Sequence, residues 1–261
     1  MLACWPEISA VHVRSVAGRG LHDYVSPSAL FFLLAAAIAY EPPSINKAWL
    51  AFVAHIPTIL LIWVATIVIA VIGFVVSVIF SLVGIGLAGG NTDAEAVGTL
   101  AVWLGNLSQL PFAILSNLVG VLFVAVPAMH YDSGENISSQ VAFRALLQRP
   151  LRYLLAGVLF SVVTTVGFLL CILPGIAVAL VTPVFVNRIF LSDQPIVEAF
   201  TASSQAVYRS PRGRTFAGIQ LLTWLVVVVV SVCTCGLGAL VAVPVGTFYI
   251  QNSAYHQGAI S

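Results

Sequence analysis

The run from Thr58 to Gly90 holds 33 consecutive residues without one charged side chain. A helix of about 20 apolar residues is enough to cross the ~30 Å hydrocarbon core of a bilayer. The run therefore exceeds one span, and it places a membrane helix near 58–80, with the glycine-rich stretch Gly84 to Gly90 beginning the exit. Composition agrees. Hydrophobic residues make up 60% of the 261-residue chain and charged residues 7%, against about 25% charged in soluble domains. So few charges cannot cover the surface of a water-soluble fold.

Asn91-Thr92-Asp93-Ala94-Glu95 is the first polar break. The next uncharged run, 96–131, contains Asn106, Ser108, Gln109 and Pro111, so its part 109–129 is the better span. Two later runs look like hairpins. Leu151 to Cys171 meets Leu173-Pro174-Gly175 and continues to Leu191. Phe216 to Cys233 meets Thr234-Cys235-Gly236 and continues to about Gln251. Pro and Gly are expected punctuation for tight turns. The expected fold is an all-α polytopic transmembrane bundle of about six spans.

Charge supports that count. Six spans put the N-terminal region, 131–150, 192–214 and the C-terminus on one side. All ten basic residues fall on that side, in these stretches or at the span ends beside them: Arg14, Arg19, Lys47, Arg144, Arg149, Arg152, Arg188, Arg209, Arg212 and Arg214. The opposite loops, 84–97, 172–175 and 234–236, carry Asp93 and Glu95 but no Lys or Arg. The positive-inside rule makes the basic side cytoplasmic, and Tyr131, Tyr153, Tyr208, Tyr249 and Tyr255 near the basic ends fit an interfacial belt. Residues 1–43 do not fit one description. Leu30 to Ala39 follows Arg14 and Arg19 and ends Ala37-Ile38-Ala39, like a signal peptide, yet cleavage there would turn every basic loop outward. An interfacial N-terminal segment, a start assigned too early and a short seventh span are the other readings. Residues 44–256 form the membrane domain and 257–261 a short tail.

A period of roughly 60 residues organises that domain. Each unit opens with an amphipathic segment bearing an Ala-aromatic pair. In Ser44–Ile56 the apolar residues Ile45, Ala48, Trp49, Phe52, Val53 and Ile56 share one helical face. Ala142, Phe143, Leu146, Leu147 and Pro150 repeat the pattern. Ala199 and Phe200 open the third unit, where Ser203 and Ser204 replace the apolar pair before Val207, and Asp193 with Pro195 suits its start. A hairpin follows each segment, and its second helix carries Pro127, Pro183 or Pro244. These segments are too short to span and are expected to lie along the cytoplasmic interface, apolar face down.

The stretch Leu173-Pro174-Gly175-Ile176 through Pro183-Val184-Phe185, followed by Ile196-Val197-Glu198-Ala199-Phe200 and Ser203-Ser204, resembles the membrane domain attached to some bacterial glycerophosphoryl diester phosphodiesterases and that domain's stand-alone inner-membrane relatives. The resemblance covers 138–256 best and 44–131 loosely. It implies a bacterial plasma membrane. It implies no enzymatic activity, because the soluble phosphodiesterase barrel is absent from this sequence.

Candidate chemistry is sparse. His55, His130 and His256 sit at expected cytoplasmic helix ends with Asp132 nearby. A metal site and simple interfacial histidines are the two readings, and no HExxH-type spacing exists. No catalytic residue, metal ligand or cofactor site is assigned. Arg188 can snorkel to the interface. Asn106, Gln109, Asn117 and Gln220 suit interhelical hydrogen bonds. Asn106-Leu107-Ser108 and Asn136-Ile137-Ser138 fit the glycosylation pattern only by composition. Cys171, Cys233 and Cys235 fall at the non-cytoplasmic turns, where they are apolar fillers or a disulfide of Cys171 with Cys233 or Cys235. Arg144, Arg149 and Arg152 flank the second hairpin, and Arg209, Arg212 and Arg214 flank the third. These six are the candidate contacts for anionic lipid. A net charge of +1 gives no field to draw a polyanion, so nucleic acid is excluded as a partner. Membrane lipids and other membrane proteins remain. The first functional reading is a non-enzymatic, lipid-interacting or accessory scaffold. A small-solute transporter or channel and a lipid-modifying enzyme are the alternatives.

Overall fold

A computed structural model describes residues 41–87 and 94–260. The readings of the first 40 residues, and the polar break before Ala94, lie outside the described residues. The described residues form eleven α-helices and no strand. They are α1 (Ile45–Ala54), α2 (Ile56–Leu87), α3 (Ala94–Gly120), α4 (Leu122–Ser133), α5 (Ser139–Gln148), α6 (Pro150–Leu170), α7 (Ile172–Leu180), α8 (Thr182–Leu191), α9 (Ile196–Tyr208), α10 (Pro211–Cys233) and α11 (Ala239–His256).

Five segments are long and apolar enough to cross a membrane: Ile56–Gly86, Ala101–Ser133, Pro150–Leu170, Ile172–Leu191 and Pro211–Cys233. The place of the sixth expected span is taken by α11, which packs antiparallel to α10 but is not apolar enough to count among them. Its last turns carry Gln251, Asn252 and Ser253, all buried by protein. A helix screened from lipid by its neighbours can hold polar side chains that a lipid-facing helix cannot.

The three units are present as separate elements. Each amphipathic helix buries the same stripe. Ala48, Ala142 and Ala199 are buried, and four residues on so are Phe52, Leu146 and Ser203. Pro127, Pro183 and Pro244 are buried in α4, α8 and α11. Those three helices pack on one another at the centre. The first helices of the hairpins, α2, α6 and α10, surround them. Their apolar windows are only 17% buried, against 39% and 50% for the second helices of units one and two, so they present hydrocarbon-facing surface. The amphipathic helices close the ring. α5 packs on α4 and α9 on α8, while α1 has no preceding hairpin among the described residues and packs on α11.

Several expectations are corrected. The spans of the first hairpin, Ile56–Gly86 and Ala101–Ser133, are longer than 58–80 and 109–129 suggested, because uncharged helix continues beyond the apolar core of each. Small residues let its backbones touch: a Cβ on Gly84 would stand 2.8 Å from the Cα of Ala101, and one on Gly105 would meet Ser77 and Ser81. This is the small-residue packing common between membrane helices. In the second hairpin the turn is Cys171 alone. Pro174 and Gly175 lie inside α7, since proline in a first turn forfeits no helical hydrogen bond. Gly175 instead permits close approach to Gly167, whose added Cβ would sit 3.1 Å from it. The third hairpin does turn at Thr234-Cys235-Gly236, with Cys235 and Gly236 at φ 51° and 90°.

The amphipathic face of α1 divides. Ala48 and Phe52 face protein, while Ile45, Trp49 and Val53 are exposed. α9 leans down the side of the bundle rather than lying wholly across its end. Phe200 meets Phe185 edge-on at 5.7 Å, and the Tyr208 hydroxyl donates to the Ala177 carbonyl. Asp193 does not cap α9. Pro195 holds that position, and Asp193 is drawn into an ion pair with Arg149.

Candidate functional site

The register of the helices gathers the polar and basic residues at one end. In the third hairpin Gly238 lies against Val230 and Thr234, and Gly246 against Thr223 and Val227. This antiparallel register sets the first turn of α10, with Arg212 and Arg214, beside the last turn of α11. The Asn187 amide donates to the Tyr255 hydroxyl at 3.0 Å, and the Gln251 amide donates to the Pro183 carbonyl at 3.0 Å, so α11 and α8 end together. Tyr131 of α4 packs against Phe248 and Tyr255 with ring centroids 6.4 Å apart in both cases. The axis of the bundle is filled at this end by Tyr131, Phe248 and Ala254, and below them by Leu122, Ala125, Val126 and Val184, all buried.

Of the predicted histidines, His55 and His130 come together, with ring centroids 4.8 Å apart. The Ile137 N–H donates to His55 Nε2 at 2.9 Å, and His55 Nδ1 pairs with the Ala51 carbonyl at 2.7 Å. Nε2 must then be unprotonated and Nδ1 must carry the proton. Both nitrogens are committed to backbone, and burial lowers the His55 pKa below its ordinary value despite the bond to Ala51. This histidine is a neutral structural latch. His130 Nδ1 pairs with the Glu135 carbonyl at 2.8 Å. Among the described residues no group of three or more His, Cys, Asp or Glu could hold a metal ion.

The six arginines separate into two kinds. Arg149 pairs with Asp193, whose carboxyl it holds below the usual carboxylate range. Arg152 donates to the carbonyls of Ser192 and Gln194 at 2.5 and 2.9 Å, and its buried Nε has no partner. These two are spent largely on anchoring the chain before α9. Arg144, Arg209, Arg212 and Arg214 are exposed and have no ion-pair partner among the described residues. Arg188 ends α8 with its Nε buried and unpartnered. Cys171, Cys233 and Cys235 are exposed free thiols. Asn187 bridges α8 and α11, whereas Gln220, expected to hydrogen-bond between helices, is fully buried with neither amide atom hydrogen-bonded.

An apolar groove between α6 and α8, floored by Val121, is not among the features read from the sequence. Tyr153 stacks on Phe190 at 4.1 Å at its basic end, and Phe160 stacks on Phe185 at 5.9 Å at its inner end. Ala156 and Gly157 lie between the pairs. The aromatic spacing Tyr153 to Phe160 was the available signal, but aromatic residues at helical spacing are also what an ordinary core shows.

The class defined by this fold is a multi-pass α-helical membrane protein, with a packed centre and one basic end. Comparison with protein-family models, curated proteins and solved structures finds no match for the chain.

Proposed function

We propose that this protein is a non-enzymatic membrane scaffold whose basic end gathers acidic phospholipid head groups. The observation that carries this reading is the set of four exposed arginines, Arg144, Arg209, Arg212 and Arg214, with no ion-pair partner among the described residues. A basic residue at an anionic leaflet gains about 1 kcal/mol, so four unpaired ones make a substantial electrostatic footing. The filled axis supports a scaffold over a channel. The commitment of both His55 nitrogens to backbone leaves that ring no part in acid–base chemistry. The basic end is cytoplasmic in this reading, both ends of 44–256 lie there, and the membrane is a bacterial plasma membrane, as the resemblance to stand-alone phosphodiesterase membrane domains implies.

The test is native mass spectrometry of the full chain from nanodiscs containing equal phosphatidylglycerol and phosphatidylcholine. Wild-type protein should carry the acidic lipid preferentially. Replacing Arg144, Arg209, Arg212 and Arg214 together by Gln should cut that preference by at least about tenfold. Equal retention of both lipids by wild-type protein at moderate salt would overturn the reading.

A further inference from the structure

From the groove between α6 and α8 we infer a binding slot for one acyl chain of a phospholipid whose head group lies against Arg152. The inference rests on the lipid-gathering reading above and gives it a location.

The slot is built by two rigid spacers. The Tyr153–Phe190 and Phe160–Phe185 stacks hold α6 and α8 apart at two heights. Between them α6 offers only Ala156 and Gly157, and a Cβ added to Gly157 would meet nothing within 4 Å. The gap is therefore real space on the outer side of α6, where Gly157 is exposed. Its lining is apolar apart from the Tyr153 and Thr182 hydroxyls. Both bordering segments, Pro150–Leu170 and Ile172–Leu191, are among the candidate spans, so hydrocarbon, not water, is the medium that fills it.

Dimensions agree. From Tyr153 to Phe160 is seven residues of helix, about 10 Å at 1.5 Å per residue, which fits inside one leaflet of ~15 Å, half of the ~30 Å core. The slot begins one turn below Arg149 and beside Arg152, at the basic end. Arg152 Nε is buried without an acceptor, although the other side of its guanidinium is satisfied by Ser192 and Gln194. Arg149 and Arg152 share the single carboxylate of Asp193, so the mouth keeps positive charge that a phosphate complements. A packed aromatic slot beneath a basic mouth thus selects a lipid with an anionic head and a flexible tail.

The experiment uses the full-length protein in nanodiscs containing phosphatidylglycerol with a photoactivatable diazirine on one acyl chain. Cross-links are mapped by peptide mass spectrometry. Wild-type protein should be labelled preferentially on 153–160 and 182–190. Gly157→Leu should lower that labelling about tenfold by displacing methylenes, while the preference for acidic over zwitterionic lipid, set by the four free arginines, stays as in wild type. Gly157→Ala, which meets no neighbour, should keep the label. Labelling spread evenly over the exposed faces of α2, α6 and α10, or cross-links joining two copies of the chain through the slot, would overturn the inference even if Gly157→Leu failed to fold. Loss of acidic preference in wild type with slot labelling intact would overturn the scaffold reading instead.

Discussion

Two latches stand at equivalent places in the first and second units and are made of different chemistry. In the register that aligns Ala48 with Ala142, His55 aligns with Arg149 and Thr58 with Arg152. In unit one His55 Nε2 accepts from the Ile137 N–H, and the Thr58 hydroxyl donates to the Ile137 carbonyl at 3.0 Å. In unit two Arg149 pairs with Asp193, and Arg152 holds the carbonyls of Ser192 and Gln194. Each latch ties the start of a hairpin to the chain that leads into the next amphipathic helix. The first is buried and neutral. The second is largely solvent-facing and charged, with Asp193 at 80% side-chain exposure. One architecture therefore tolerates either solution, and the local dielectric decides which group is affordable: a charge at His55 would lose hydration without an opposite partner, while at Arg149 water still screens it.

The largest effect is expected from His55→Ala. It orphans the buried Ile137 N–H, a loss of about 1–3 kcal/mol, and removes a ring packed on His130 and Phe248. Thermal unfolding in detergent should show a clear fall in midpoint. Arg152→Ala should fall less, because the carbonyls it frees belong to half-buried Ser192 and Gln194, which water can still reach. An equal loss for the two variants would erase the distinction.

The same latch predicts a pH dependence. Burial lowers the His55 pKa, so the folded state favours the neutral ring. Its contribution is complete above the unfolded value near 6.5 and is lost as pH falls from there through the lower folded value. The unfolding midpoint should drop on acidification below neutrality, and much less so in His55→Ala. A drop of equal size in both proteins would assign the acid sensitivity elsewhere.

Smallest is Asp193→Asn. Arg149 depresses the Asp193 pKa through a hydrogen bond and charge, so the pair persists above the usual carboxylate range and is lost only as pH falls through the depressed value. Being exposed, it is screened by salt. The variant should match wild type in high salt and differ only slightly in low salt. A salt-independent loss would mean the pair is buried in the membrane-bound protein.

Much of the fold was legible in the chain, and particular residues show why. Uncharged length specified helices and their class, since a bilayer admits few alternatives. Ala48, Ala142 and Ala199 marked three equivalent helices because the same small side chain is needed wherever an amphipathic helix lies tightly on a proline-bearing one. Turns were less legible. Pro174-Gly175 has the composition of a turn but serves as the first turn of α7, and only the approach of Gly167 explains the glycine.

Sequence by itself determined the membrane class, the three-unit order and the gathering of basic residues near the ends of particular helices, because these follow from hydropathy, charge and period along one dimension. Tertiary structure decided what depends on distance across the bundle. It committed both nitrogens of His55 to backbone, separated the bound Arg149 and Arg152 from the free Arg144, Arg209, Arg212 and Arg214, and opened a slot beside Gly157. A side chain's partners are set by the three-dimensional register of helices distant in sequence, which no periodicity within one helix encodes.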